Sequence, residues 1–169
     1  MLKIKKLKYV EWNKLMEIKK LLKLLKQSVE LLYENDEYLI LHSVHEQDIS
    51  YRIAHYFENL LNNYDWYSAL KLNVDVEYNR NIDNIKETNG IKCKPDIILH
   101  ARGNNENNII VIEIKKEQDV CDDDFRKLSN FTRSALEYKY SLGIYINIER
   151  NNSTYKYFKD GHEITENEL

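Results

Sequence analysis

PDIILHARGNNENNIIVIEIKK, residues 95–116, decides how this chain folds. Two apolar runs, Ile97–Leu99 and Ile109–Ile112, flank the turn-rich stretch Arg102–Asn108, the pattern of a β-hairpin. Four consecutive apolar residues in the second run predict a strand covered on both faces and so central in its sheet. Because side chains alternate along a strand, Val111, Glu113 and Lys115 share one face and Ile110, Ile112 and Ile114 the other. With the hairpin tip at Asn104 and Asn105 the pairing is symmetrical, and Asp96 falls opposite Glu113 at a Cβ separation of about 4.5–5.5 Å. A bulge at Gly103 would shift that register.

Working outward, the spacing predicts a helix over Trp12–Tyr33, from the stripe Leu15, Ile18, Leu22, Leu25, Val29 and Leu32. Glu34 to Glu37 breaks the pattern. A second helix begins near Ser43 or His45, carries Ile49, Ile53, Tyr56, Phe57, Leu60 and Leu61 on one face, and ends by Asn62–Asp65. Period two then sets in, with Leu72, Val74, Val76 and Tyr78 facing one way, a half-buried strand. A polar loop is expected from Asn81 to Gly90. Beyond the hairpin, Asp122, Asp123 and Asp124 open a third helix that turns Phe125, Leu128, Phe131 and Thr132 inward, and strands follow at Leu142–Ile148 and Tyr155–Phe158. The order predicts an α/β domain, a mixed sheet flanked by helices. Residues 1–33 form a basic arm with an amphipathic helix, and residues 43–169 the main domain, packed together as one unit.

A chain of 169 residues with 43% hydrophobic and 31% charged residues suits one soluble core. Lysines interrupt the early apolar stretch, so it reads as neither signal peptide nor membrane span, and a cytoplasmic protein without membrane partners is expected. Cys93 and Cys121 lack CxxC spacing and are expected to be reduced thiols. The net charge of −3 hides an asymmetry: residues 1–26 hold nine lysines against Glu11 and Glu17, leaving a body of net −10. Those lysines are expected to help hold a polyanion.

Two carboxylates facing each other across a strand pair repel unless a cation or proton sits between them. A hard divalent ion resolves the conflict, since magnesium binds through one or two carboxylates plus water and phosphate oxygens. Lys115 would stand beside it as a point charge, orienting or helping to deprotonate an attacking water and offsetting charge on a phosphate. A solvated apolar-Glu-apolar-Lys strand is the structural alternative. Glu46, in the first turn of the second helix, reads equally as a metal-shell acid or as an acid complementing the helix dipole. His42 and His45 read as surface histidines rather than zinc ligands. Glu77, Tyr78, Asn79, Arg80, His100 and Arg102 read either as phosphate or base contacts or as solvated strand ends.

Pro95-Asp96 followed by Glu113-Ile114-Lys115, with a helix bearing Glu46 before and a helix and strand after, resembles the PD-(D/E)xK nuclease superfamily over residues 43–149. The resemblance implies a restriction-endonuclease-like fold of core order α-β-β-β-α-β, here with an extra N-terminal helix. It implies Mg2+ or Mn2+ held by Asp96, Glu113 and the Ile114 carbonyl, with Glu46 completing the shell, and Asp96, Glu113 and Lys115 as the catalytic set. Arg126 and Lys127 lie where such proteins often carry a helper lysine or glutamine. The implied activity is metal-dependent hydrolysis of DNA, with DNA as partner and a homodimer as one admissible assembly. The alternative is a catalytically inert module of the same fold that binds DNA or protein.

Overall fold

A computed structural model describes residues 18–42, 44–88, 90–117 and 122–169. Helix α1 (Ile18–Asn35) buries Leu21, Leu22, Leu24, Leu25, Val29 and Leu32, a wider stripe than the spacing alone marks. Leu15 and the helix start expected at Trp12 lie outside the described residues. The break expected after Tyr33 narrows to Asp36, after which a short helix α2 (Glu37–Leu41) continues. Asp36 is held there because its Oδ2 accepts hydrogen bonds from Arg52 Nε at 2.8 Å and Tyr56 Oη at 2.6 Å. Helix α3 (Glu46–Leu61) turns Ile49, Ile53, Phe57 and Leu61 inward and packs along α1, and the short α4 (Asp65–Ala69) leads into the sheet.

Six strands form that sheet. They are β1 (Leu72–Val76), β6 (Ile97–Ala101), β7 (Asn108–Lys116), β8 (Leu142–Ile148), β9 (Ser153–Lys159) and β10 (His162–Ile164), lying side by side in that order. Only β7 and β8 run parallel, joined through helix α5 (Asp122–Thr132); every other neighbouring pair is antiparallel, so the sheet is mixed. Alternation sorts the two faces. Ile97, Leu99, Ile110, Ile112, Ile114, Ile144 and Ile146 pack under α1 and α3, while Ile98, Val111 and Tyr145 meet Leu128 and Phe131 of α5. Ile109 to Ile112 are fully buried, as a strand with neighbours on both sides and helices over both faces requires.

The hairpin register runs Ile97↔Ile112, Ile98↔Val111 and Leu99↔Ile110, then shifts so that His100 meets Asn108. The bulge thus falls near Ile109 rather than at Gly103. It lies on the tip side of Leu99, so the offset at the other end is undisturbed and carries Asp96 opposite Glu113.

The expected polar loop is instead two small hairpins, β2 (Arg80–Asn81) with β3 (Asn84–Ile85) and β4 (Glu87–Thr88) with β5 (Ile91–Lys92). Asn89-Gly90 is a type I′ turn signal between β4 and β5, and Gly90 has a φ of +75°. Asp160-Gly161, at φ +48° and +82°, does the same for β9 and β10. No described helix is long and apolar enough to cross a membrane.

Candidate functional site

Four elements meet at one place on the sheet: the start of β6, the C-terminal half of β7, and the N-terminal turns of α3 and α5. Asp96 stands one residue before β6. Its backbone carbonyl accepts from the Glu77 N–H at 3.1 Å, and its Oδ2 accepts from the Ile114 N–H at 2.6 Å. The side chain thereby takes up a β7 backbone donor at the point where the β6 ladder ends. Burial pushes the Asp96 carboxyl from 3.8 up to about 6, against the opposing pull of the Ile114 N–H and Lys115.

Glu113 is 2% exposed. Its Oε2 lies 3.6 Å from Lys127 Nζ, and its Oε1 has no hydrogen-bond partner among the described residues. Burial first, and the Asp96 charge second, push its carboxyl well above the usual range. A buried acid with an unserved oxygen and a second acid beside it is a place where the fold gives up stability.

Lys115 Nζ donates to Glu46 Oε2 at 2.9 Å and stands 3.6 Å from Asp124 Oδ2. Burial works against its charge, but the Glu46 hydrogen bond and the charges of Asp124, Glu46 and Asp96 outweigh it and hold its pKa above the ordinary value. Glu46 also accepts from the Lys116 N–H at 3.3 Å, so it joins the tip of α3 to the end of β7.

Asp124 and Lys127 complete the group. Asp124 is buried, and Lys127 Nζ lies 2.7 Å from its Oδ1. The sequence places Asp124 in an acidic helix start without marking it out from Asp122 and Asp123. The signal was present nonetheless, since Asp124 stands four residues before Leu128 and so shares the inward face of α5. Four carboxyl groups and two ammonium groups thus meet at one place, Glu113 and Asp124 buried and Glu46 and Lys127 partly open to water.

Other expected contacts are placed elsewhere. His100 Nε2 bonds Asp75 Oδ2 at 2.9 Å, and Arg102 grips both oxygens of the same carboxylate. Burial opposes the Asp75 charge, but these hydrogen bonds prevail and hold its carboxyl well below the usual range. Glu77 pairs with Lys94 at 2.8 Å. His42 stacks on Tyr38 with ring centroids 3.9 Å apart, and His45 is an exposed residue at the N-cap position of α3 whose side chain makes no capping hydrogen bond. Two lysines of α1 are engaged elsewhere: Lys26 pairs with Glu166 at 2.7 Å, and Lys20 lies over the Tyr64 ring at 4.2 Å. Tyr64 follows the C-terminal end of α3 and Glu46 opens it, so the length of that helix, about 24 Å, separates them.

No family model, curated protein or solved structure matches the chain. Among the described residues no three of His, Cys, Asp and Glu converge closely enough to hold a metal ion unaided. The donors on hand are two carboxylates, Asp96 and Glu113, and the backbone. An all-oxygen set of that size fits a hard cation that keeps most of its water, and the unserved Oε1 of Glu113 is where such an ion would be felt most.

Proposed function

We propose that this chain is a metal-dependent deoxyribonuclease of the PD-(D/E)xK type with a restriction-endonuclease-like core. The observation that carries the reading is Glu113: a buried carboxyl with one oxygen unserved, opposite Asp96 and two residues from Lys115. The succession α3, β1, β6, β7, α5, β8 supports it, being the helix, three strands, helix and strand that the resemblance implies.

Asp96, Glu113 and the Ile114 carbonyl would hold Mg2+ or Mn2+. The Ile114 side chain is buried in the larger core, so the backbone oxygen is the group it can offer. Bound there, the ion would lower the pKa of a water and draw charge from a phosphoryl oxygen. Lys115 keeps its proton, which suits it to offset charge on the phosphate and to orient water rather than to act as a base. Glu46 positions that ammonium, and Asp124 does the same for Lys127.

Purified protein should cleave DNA only with a divalent cation, assayed on linear, circular, single-stranded and branched substrates. Asp96→Asn, Glu113→Gln and Lys115→Met should each remove cleavage, by roughly a hundredfold or more, while the circular dichroism spectrum stays unchanged. A wild type that bound DNA but cut none of these substrates with either metal would instead be an inert module of this fold.

A further inference from the structure

The two small hairpins of residues 79–94 share one stem, and that stem is fixed from below. Lys86 joins β3 to β4 and is only 2% exposed. Its Nζ donates to Tyr140 Oη at 2.9 Å and lies 5.2 to 5.7 Å from the ring centres of Tyr78, Phe131, Tyr138 and Tyr140. An ammonium caged by four rings is held by cation–π attraction from several sides. Tyr138 Oη adds hydrogen bonds to both the N–H and the carbonyl of Glu87, each at 2.8 Å. A ladder of two residues has little stability of its own, so this anchor sets where the hairpins stand.

Above the anchor the side chains have the opposite character. Ile91 is 71% exposed, and Ile82 and Ile85 are exposed as well. Ile85 and Ile91 form one wall of a cleft of about 560 Å³ between the hairpins and α5. Lys92 and Lys94 line it from the hairpin side, and Arg126 and Lys127 from the helix side, against the single acid Asp123, which pairs with Arg126. Among the described residues Lys92 forms no salt bridge. The cleft borders the acidic site, for Lys127 lines the one and lies 3.6 Å from Glu113 of the other, and Lys94 is two residues from Asp96.

Apolar walls, a cationic rim and a volume within the 300–1,000 Å³ range of small-ligand pockets suit a nucleotide rather than an intact duplex, whose bases are stacked out of reach. Building on the nuclease reading, we propose that the cleft takes one unstacked nucleotide of the substrate strand. Its base lies against Ile85 and Ile91, and its phosphates lie between Lys92 and Lys94 on one side and Arg126 and Lys127 on the other. Ile91 acts as the wedge that keeps the base out of the stack, a use to which exposed aliphatic side chains are put elsewhere. The substrate class that follows is DNA with a weakly stacked position, such as a mismatch, bulge or branch.

The test uses the full chain with calcium in place of magnesium, so that binding is read without cutting. Two probes are compared: a duplex with one unpaired 2-aminopurine, and the same duplex fully paired. The unpaired duplex should bind roughly tenfold tighter, since its base is already free of a partner, with a change in 2-aminopurine fluorescence on binding. Ile91→Ser, an exposed position, should abolish the preference. Lys92→Gln and Lys94→Gln should each flatten the log–log salt dependence by about 0.9. Equal affinity for both duplexes, or a preference that Ile91→Ser leaves intact, overturns the cleft assignment even if DNA is cleaved. An Ile91-dependent preference in a protein that cuts nothing keeps the cleft and removes the nuclease reading. Failure to bind either duplex removes both.

Discussion

Asp96 and Glu113 each hold their proton to a higher pH in the folded protein than in the unfolded chain. The native state therefore binds more protons, and stability falls as pH rises: the contribution of Asp96 is complete below about pH 4 and is lost as pH passes 6. A rise from 3.8 to about 6 corresponds to roughly 3 kcal/mol. Metal-free protein should accordingly be more stable to urea near pH 5 than near pH 7.5, and Asp96→Asn should flatten that fall by about half this amount, the other half being lost already between pH 3 and 5. Magnesium competes with the same protons, so its effect on Tm should grow with pH, reaching about 2.7 kcal/mol at a hundredfold excess over Kd. Asp96→Asn should lose most of it. Equal magnesium shifts in the two proteins would place the ion elsewhere.

At the level of elements, α5 is both the crossover between parallel strands and the carrier of Asp124 and Lys127. Its distance from the sheet is set at Gly143 in β8, where an added Cβ would lie 3.1 Å from Thr132 Cγ2, 3.2 Å from Phe158 Cβ and 3.4 Å from Leu128 Cβ. Gly143→Ala should push the helix outward and cost roughly 1–3 kcal/mol in thermal or urea unfolding. An unchanged Tm would mean that α5 is free to move. Helix α1 poses the converse case, since Lys20 sits at the far end of α3 from Glu46 and Lys26 is taken up by Glu166. Replacing Lys19, Lys20, Lys23 and Lys26 by glutamine should leave cleavage of a short duplex within about twofold of wild type, because no phosphate contact at the site is removed. A large loss on short DNA would mean that the substrate runs the length of the molecule.

For the molecule as a whole, the basic N-terminal helix is not a detachable arm. Leu21, Leu25 and Leu32 are fully buried in the same cluster as Ile53, Phe57, Ile112 and Ile146, so α1, α3 and the sheet share one core. Leu25→Ala should cost about 2–5 kcal/mol and still unfold in one transition, with far-UV circular dichroism and fluorescence melting together. Two separated transitions would show that the helix folds apart from the sheet. The sheet is also what brings the acids together. Asp96 and Glu113 are joined by hairpin register, Asp124 and Lys127 arrive on the crossover helix, and Glu46 arrives on a helix that packs over the opposite face.

Local pattern determined much of this. The run Ile109–Ile112 required a central strand because no solvated face can hold four consecutive apolar residues, and the period-two alternation put Glu113 and Lys115 on one side. The expected pairing of Asp96 with Glu113 holds because the one bulge of the hairpin lies on the tip side of Leu99 and leaves the register beyond it unchanged. The spans of α5 and β8 were legible for the same reason, each being set by its own periodicity. The hairpins at Asn89-Gly90 and Asp160-Gly161 went unread, because polar residues around a turn signal of only two residues hide it. Tertiary structure decided the rest. That Glu46 reaches Lys115, 69 positions away, that His100 and Arg102 are taken up by Asp75, and that Lys86 is caged by rings from three separate segments depend on how helices pack on a twisted sheet. Burial decided the protonation of the two acids as well. A carboxyl's charge state follows from the water excluded around it, and that exclusion exists only once both faces of the sheet are covered.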